Sequence, residues 1–273
     1  MSKRLAIIAG KGALPYRIAL TAHNDGYDVV VMPISGQADD LFSDFETVPI
    51  HLGSIARTRR EILNKNISTL VMAGKVEWPS MTSLRPDFDG VKLLGKMFTR
   101  GDDTALRLIK KYFAEKDIEI VSAHQFLPDH RLPVGVLTGA PLISEEQLML
   151  EQGLGVLETL GGYDVGQSVV IQNRRIIAVE AAEGTDAMLT RCGALLKPGD
   201  GTACFIKTAK SNQDKSLDTP VIGCRTIEVA SEAGIKLVAI ESGAVLLADD
   251  LAAICDRCND LKVTLIGIDV QSK

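Results

Sequence analysis

The sequence predicts an α/β protein of two domains. It has 273 residues, of which 46% are apolar and 4% aromatic, and this length suits one large domain or two smaller ones. In the first half, short runs of Val, Ile and Leu alternate with amphipathic segments, as in a parallel sheet covered by helices on both faces. In the second half, two apolar runs meet at a short turn, which predicts a hairpin and therefore a mixed sheet.

The elements of the first half follow from this alternation. Arg4–Ala9 is an apolar run that ends at Gly10, and Pro15 suits the first turn of the helix that follows. The expected strands are Arg4–Ala9, Tyr27–Ile34, Thr69–Ala73 and Ile118–Ser122, and the expected helices are Pro15–Asn24, Ile55–Asn66 and Thr104–Glu115.

Prolines and glycines then cluster between the halves, at Pro128, Pro133, Gly135, Gly139 and Pro141. Such a cluster is typical of a linker. We therefore expect a Rossmann-like parallel-sheet domain over residues 1–130, a linker or hinge over 131–143, and a mixed α/β domain over 144–273, with the ligand cleft between the two domains.

In the second half, the segment SVVIQNRRIIAVEAA predicts a hairpin that turns at Gln172–Arg174. A helix is expected from Thr185, with Thr185 or Asp186 as its cap. The remaining expected elements are helices at Ser144–Leu160, Thr226–Ala233 and Asp249–Cys258, and strands at Ala203–Thr208, Leu237–Ile240 and Val263–Ile268.

Composition excludes several classes of protein. With 35 acidic and 30 basic residues, the formal net charge is -5, which argues against a general nucleic-acid binder. The five cysteines do not form a disulfide framework, and for the lone C-x-x-C at Cys255 and Cys258 packing is favoured over a metal or redox role. The first apolar run is too short for a signal peptide and none is long enough to span a membrane, so a cytosolic protein with reduced thiols is expected.

Two segments carry possible ligand contacts in the first half. The turn IIAGKGALP is expected to expose backbone N–H groups of Gly10 and Gly12 at a helix N-terminus, which is a favourable position for a phosphate group. A dinucleotide fingerprint would need a third glycine where Pro15 stands, so NAD binding is disfavoured while a phosphate or ribose contact stays open. The basic and apolar stretch Val91–Lys111, which contains Arg100 and Asp102, is either a core helix with solvated lysines or a contact for an amphipathic lipid.

The group of residues that most strongly indicates an active site lies in the second half of the sequence. Glu183, Asp186, Asp214 and Asp218 offer hard oxygen ligands, and Lys207 and Lys210 offer positive charge. Carboxylates for Mg²⁺ beside cations for phosphate are what pyrophosphate cleavage requires. Solvated loop charges explain the same residues about equally well.

Several strings together resemble one family. They are IIAGKGALP, RGDDTAL, GQSVVIQNRRIIAVEAAEGTDAML, KTAKSNQDKSLDTPVIGCRTIE and EAGIKLVAIESGAVLL. In this order they are similar to the UDP-2,3-diacylglucosamine pyrophosphatases of lipid A biosynthesis, of the type unrelated to metallophosphoesterases. The likeness covers essentially the whole chain.

The resemblance implies a Mg²⁺-dependent hydrolase that releases UMP and 2,3-diacylglucosamine 1-phosphate. It further implies a cytoplasmic homodimer, with no nucleic-acid partner, that contacts the inner-membrane surface transiently. Asp214, Asp218 and Lys207 would be catalytic, and Asp214, Asp218 and Glu183 would hold the metal. The substrate-binding residues would be Gly10, Gly12, Arg100, Asp102, Gly184, Thr185, Asp186, Lys210 and Thr226.

Two other functions remain open from the residues alone. One is a nucleotide-dependent oxidoreductase that uses the Gly10–Gly12 turn, although the missing third glycine weighs against it. The other is a non-catalytic protein that binds acylated sugar phosphates without turnover.

Overall fold

The structure is a computed structural model that describes residues 3–77, 86–91, 102–127, 129–210 and 219–270. The described residues divide into two compact units, one that reaches residue 127 and one that begins at Asp129. The described part of the chain contains no helix that is both long enough and apolar enough to cross a membrane.

The N-terminal unit is a five-stranded parallel sheet with flanking helices. Its strands are β1 (Arg4–Ala9), β2 (Asp28–Pro33), β3 (Glu46–Thr47), β4 (Thr69–Ala73) and β5 (Glu119–Ile120). Its helices are α1 (Leu14–Asn24), α2 (Ile55–Asn64) and α3 (Asp102–Ala114), followed by a short 3₁₀ helix at Ala123–Gln125.

The strand order of this sheet is β3-β2-β1-β4-β5. The chain therefore leaves β1 in one direction and returns to its other side with β4, which is the topology of a Rossmann-like domain. Strand β1 is central and its Leu5, Ala6 and Ile7 are fully buried, as expected for a strand covered on both faces. The predicted fold class is confirmed for this unit.

The C-terminal unit is built on a six-stranded mixed sheet with the order β6-β13-β11-β9-β7-β8. Its strands are β6 (Gly135–Thr138), β7 (Ser168–Gln172), β8 (Arg175–Val179), β9 (Ala203–Lys207), β11 (Leu237–Glu241) and β13 (Thr264–Ile268), while β10 (Val221–Ile222) and β12 (Leu246–Leu247) form a separate parallel pair. The helices are α4 (Ser144–Gly161), α5 (Thr185–Cys192), α6 (Cys224–Glu232) and α7 (Leu251–Leu261).

Successive side chains of a strand point to opposite sides of the sheet, so a continuously apolar strand makes both faces apolar. Helices cover both of these faces. Helix α4 packs on the face that carries Ile171 and Ile206. Helices α5, α6 and α7 pack on the face that carries Val170 and Phe205. Strands β9, β11 and β13 are parallel, whereas β6, β7 and β8 each make antiparallel pairs, so the predicted mixed sheet is confirmed.

The segment predicted as a linker, residues 131–143, is structured within the C-terminal unit. Leu132 is 1% exposed and belongs to its core, and its carbonyl accepts a hydrogen bond from Ser242 Oγ at 2.6 Å. The following residues form β6, which pairs with β13. The prolines and glycines suggested a linker, but Leu132 is buried in the core and Leu137 packs against it, while residues 135–138 pair with β13.

The β7–β8 hairpin turns at Asn173 and Arg174, as predicted. Both residues have positive φ, 47° and 59°, which is the conformation of a two-residue type I′ turn. Asn tolerates it better than Arg does, so this turn takes its shape from the strands that it joins.

Two glycines of α4 form a matched pair for a stability test. A Cβ added at Gly155 meets nothing within 4 Å, whereas one at Gly153 collides with Ile206 Cδ1 and lies 2.9 Å from Ile171 Cδ1. Gly155→Ala is expected to raise the free energy of unfolding by about 0.5–1 kcal/mol through helix propensity. Gly153→Ala is expected to be less stable than Gly155→Ala by about 1–3 kcal/mol because of overpacking. Urea denaturation of both variants measures the difference, and equal stabilities would contradict the packing of α4.

The five cysteines are free thiols. Cys192, Cys204 and Cys258 are buried, and Cys224 and Cys255 are half-buried. Burial raises the pKa of Cys258 to about 12 and also raises the pKa of Cys255, which is opposite to what a metal-binding or redox C-x-x-C needs. Packing is therefore the role that the structure supports for this pair.

A thiol titration tests this arrangement. In the native protein at neutral pH, a disulfide reagent such as DTNB is expected to react with no more than two thiols, those of Cys224 and Cys255, because a buried, protonated thiol is a poor nucleophile. All five should react in guanidinium chloride. Rapid reaction of a third thiol in the native state would show that the core is less closed than described.

Candidate active site

Polar side chains gather at one edge of the six-stranded sheet. Strand β9 ends at Lys207 and its parallel neighbour β11 ends at Glu241, with Lys207 paired to Ile240. The antiparallel strand β7 begins at this edge, where Ser168 pairs with Lys207. Glu180 follows directly after β8, which runs in the same direction as β9. In α/β proteins, the carboxyl ends of parallel strands are where ligands are usually bound.

Ser168, Glu180, Thr185 and Lys207 form a connected group that we call the Lys207 cluster. Lys207 Nζ donates to Thr185 Oγ1 at 2.6 Å and lies 3.8 Å from Glu180 Oε2. The Glu180 carboxylate accepts hydrogen bonds from Thr185 Oγ1 at 2.9 Å and from Ser168 Oγ at 2.5 Å. The Lys207 and Glu180 side chains are only 5% and 12% exposed. A buried ammonium is costly unless it is paired and hydrogen-bonded, and this cluster meets both conditions.

The turn before α5 brings Thr185 to the cluster. The cap residue is Gly184, with φ 80° and no side-chain capping bond, so the expected cap at Thr185 or Asp186 is wrong. Gly184 adopts this conformation without steric cost, and Thr185 becomes the first residue of the helix. Asp186 lies in the first turn, where a negative charge is favourable to the helix dipole.

Glu183, a predicted metal ligand, is held by Arg191. Two guanidinium nitrogens, Nε and a terminal nitrogen, donate to Glu183 Oε1 at 3.2 and 2.8 Å, and the terminal nitrogen also donates to the carbonyl of Val179 at 2.8 Å. The hydrogen bonds from Arg191 lower the pKa of Glu183. Its carboxylate is therefore ionised and already engaged by a cation.

The loop after β9 carries the second predicted lysine. Lys210 Nζ donates to Asp164 Oδ1 at 2.5 Å and to the carbonyl of Asp164 at 3.2 Å. Between the two lysines, the Ala209 N–H donates to Glu241 Oε2 at 2.8 Å. Lys207 and Lys210 thus lie at the same sheet edge but pair with different carboxylates.

Thr226, a predicted substrate contact, is 8% exposed and takes part in the start of α6. Its Oγ1 accepts from the Gly223 N–H at 3.4 Å, while Asp249 Oδ2 accepts from the Cys224 N–H at 2.8 Å. In this structure the Thr226 hydroxyl caps a helix.

In the N-terminal unit, the Gly10–Gly12 turn is tied to the end of β4. A Cβ at Gly10 would lie 2.6 Å from the carbonyl oxygen of Lys75, and Lys11 and Lys75 exchange backbone hydrogen bonds at 2.8 and 2.9 Å. Gly10 is thus required for close backbone packing. The Gly12 N–H, with φ 102° at that residue, donates to Asp39 Oδ2 at 2.7 Å, so a carboxylate already accepts from this turn.

Some predicted residues lie outside the described part of the chain. These are Arg100, Asp214 and Asp218, together with residues 92–101 of the basic stretch that contains Arg100. Asp102 begins helix α3. Among the described residues, no group of three or more His, Cys, Asp or Glu is placed to hold a metal ion.

Three residues at the sheet edge were not anticipated from the sequence, namely Ser168, Glu180 and Glu241. Ser168 and Glu241 are terminal residues of strands, and Glu180 immediately follows one. The signal that could have found Glu180 and Glu241 is a polar residue at the carboxyl end of an apolar run, whereas Ser168 begins the antiparallel strand β7 and reaches the edge only through its pairing with β9. Glu180 in particular was hidden beside Glu183, which is nearer to the recognisable EGTD turn.

Comparison with known proteins identifies relatives of the whole chain. Residues 4–130 match the family model of the LpxI N-terminal domain, and residues 133–266 match that of the LpxI C-terminal domain. A protein from Caulobacter vibrioides, named UDP-2,3-diacylglucosamine pyrophosphatase LpxI, is 30% identical over 279 residues and covers 99% of both chains.

Solved structures give weaker likenesses. UDP-glucose 4-epimerase of Bifidobacterium longum, in complex with NAD+ and UDP, is 12% identical, covers 73% of this chain and 68% of its own, and has a TM-score of 0.32. The transformylase T of Mycobacterium tuberculosis is 12% identical, covers 66% of this chain and 44% of its own, and has a TM-score of 0.25. Likenesses this low carry no argument about ligands.

Proposed function

The chain belongs to the LpxI family, and from that premise we propose that it hydrolyses UDP-2,3-diacylglucosamine to UMP and 2,3-diacylglucosamine 1-phosphate in lipid A biosynthesis. The observation that carries the proposal is the match of the family to both halves of the chain. A match confined to one half would leave the activity of the other half unaccounted for.

Lys207 is the proposed catalytic cation. Its ammonium is held at the carboxyl edge of the sheet, where few water molecules compete for it because the side chain is 5% exposed. A fixed positive charge in such surroundings stabilises the negative charge that develops on phosphate oxygens during cleavage. Lysine supplies this as a point charge and does not need the two-pronged geometry of arginine.

The other proposed residues bind the substrate. Lys210 supplies a second cation, and the backbone at the start of α5 supplies N–H groups, where anions are favoured. The proposed substrate-binding set is Gly10, Gly12, Arg100, Asp102, Gly184, Thr185, Asp186, Lys210 and Thr226.

Asp214 and Asp218 are the proposed Mg²⁺ ligands and catalytic acids, with Glu183 as a third ligand. Bound Mg²⁺ would supply charge neutralisation at the pyrophosphate oxygens. For Glu183 this role would require release from Arg191, which holds the carboxylate in the structure. We therefore derive no step through the ion.

We also propose that the protein is cytoplasmic, dimeric and peripheral to the inner membrane. The proposed substrate carries two acyl chains, so the hydrolase would meet it at the bilayer surface.

The test is incubation of the purified protein with UDP-2,3-diacylglucosamine, with mass spectrometry of the products. We expect UMP and 2,3-diacylglucosamine 1-phosphate in equal amounts, and much slower cleavage of UDP-glucose, which lacks the acyl chains. Binding of the lipid without release of UMP would overturn the proposal in favour of a non-catalytic binder. Stabilisation by NAD(H) together with no UMP release would favour an oxidoreductase.

A further inference from the structure

We infer that Glu180 is a positioning residue that orients the Lys207 ammonium through the Thr185 hydroxyl. The inference rests on the proposed function, because it takes Lys207 as the cation that acts on the pyrophosphate. Glu180 itself is assigned no contact with the substrate.

The first argument is the direction of the hydrogen bonds. A threonine hydroxyl has one proton to donate and lone pairs that accept. Lys207 Nζ can only donate, so Thr185 Oγ1 accepts from it at 2.6 Å. The hydroxyl proton is then directed to Glu180 Oε1, 2.9 Å away. The carboxylate thereby fixes the rotation of the Thr185 hydroxyl, so that the lone pairs of Oγ1 face the Lys207 ammonium.

The second argument is that the carboxylate itself is fixed. Its other oxygen, Oε2, accepts from Ser168 Oγ at 2.5 Å, and Ser168 is fully buried. The Glu180 N–H also donates to the Ser168 carbonyl at 2.9 Å. Both oxygens of the side chain and the adjacent backbone are therefore anchored to strand β7, which pairs directly with the strand that carries Lys207.

The third argument is electrostatic. Lys207 and Glu180 are separated by 3.8 Å and are almost completely screened from solvent. At this distance, and with so little solvent between them, the carboxylate attracts and compensates the buried ammonium. Glu180 therefore aims the ammonium through Thr185 and also supplies the opposite charge 3.8 Å from it.

The main test is a double-mutant cycle on UMP release with the full-length protein. Glu180→Gln and Thr185→Val are each expected to lower kcat by about 10- to 100-fold. For Glu180→Gln, which removes no proposed substrate contact, KM should stay within about threefold of the wild type because the lost effect is one of orientation. Thr185→Ser, which restores the hydroxyl, is expected to lose much less than Thr185→Val. In a Lys207→Met background, Glu180→Gln should cause little further loss, because the group through which it acts has been removed.

The matched control is Glu228→Gln. Glu228 accepts two hydrogen bonds from Arg257, at 2.9 and 2.6 Å. This change therefore also breaks an ion pair in the same unit, but neither residue of that pair belongs to the Lys207 cluster. Its kcat should stay near that of the wild type.

An equal loss of kcat from Glu180→Gln in the wild-type and Lys207→Met backgrounds would overturn the inference.

A second readout separates the inference from the proposed function. Limiting acetic anhydride at neutral pH labels lysines in proportion to their exposed, neutral amine, and the exposed Lys75, with a side chain 69% accessible, serves as the internal reference. Glu180→Gln and Thr185→Val are each expected to raise the relative labelling of Lys207 by about tenfold, the effect of one lost charge-assisted hydrogen bond. Unchanged labelling in both variants would overturn the positioning role. An absence of UMP release by the wild type would instead overturn the proposed function.

Discussion

Lys207→Met is expected to lower kcat for UMP release by about 10²- to 10³-fold, the typical effect of removing one preorganised group that stabilises developing negative charge. Methionine keeps the length and the apolar stem of lysine while removing the ammonium. The effect is expected to be large because Lys207 is 5% exposed and hydrogen-bonded by Thr185, so neither water nor a mobile surface side chain can replace it. Steady-state assays of UMP release measure the change.

The same substitution is expected to reduce stability, and this must be separated from catalysis. Removing the ammonium leaves the buried Glu180 carboxylate without the positive charge of Lys207. This loss is expected to lower the free energy of unfolding by about 3–5 kcal/mol. The double variant Lys207→Met/Glu180→Gln removes both charges and should recover most of the lost stability while remaining inactive. Lys75→Met, at an exposed lysine, is the control. Activity above one tenth of wild type in the stable double variant would contradict the assignment of Lys207.

Alanine at Asp214 or Asp218 is expected to abolish UMP release without unfolding the protein. Two carboxylates four positions apart in a polar stretch of sequence are the ligand type that Mg²⁺ requires. The loss of a metal-bound charge from phosphoryl chemistry costs several kcal/mol of transition-state stabilisation. This corresponds to a loss of about 10³-fold or more. The control is Asp256→Ala, on an exposed face of α7, which should retain activity and the wild-type melting temperature.

Removal of the metal supplies the complementary measurement. Treatment with EDTA should abolish UMP release, and added Mg²⁺ should restore it in the wild type but not in the alanine variant that has lost a ligand. Full activity in both Asp214→Ala and Asp218→Ala would contradict the site, and full activity in EDTA would contradict the magnesium proposal.

Much of the fold could be predicted because its elements are locally encoded. Strands β1 and β4 are continuous apolar runs, and the structure gives them the predicted bounds, Arg4–Ala9 and Thr69–Ala73. The β7–β8 hairpin also lies where its polar pair interrupts two apolar runs. Such patterns specify a buried strand without reference to the rest of the chain.

The elements that were missed lack such a pattern. Strands β3, β10 and β12 have two residues each, too few to show a periodicity. Strand β6 was hidden by the glycines and prolines around it and exists because it pairs with β13, which lies more than a hundred residues later. In each case, hydrogen bonding to a distant strand decides the structure.

The same distinction applies to the candidate site. The sequence by itself determined the two-unit α/β fold and the family resemblance, and it predicted Thr185 and Lys207 as site residues, since these follow from local patterns and recognisable motifs. Only the tertiary structure decided that Thr185 and Lys207 share a hydrogen bond and that Glu180, not Glu183, is the carboxylate paired with the lysine. The physical reason is strand pairing, because the register of β7 against β9 places Ser168 beside Lys207 and brings Glu180 to the same edge. A linear pattern of charges does not contain that register.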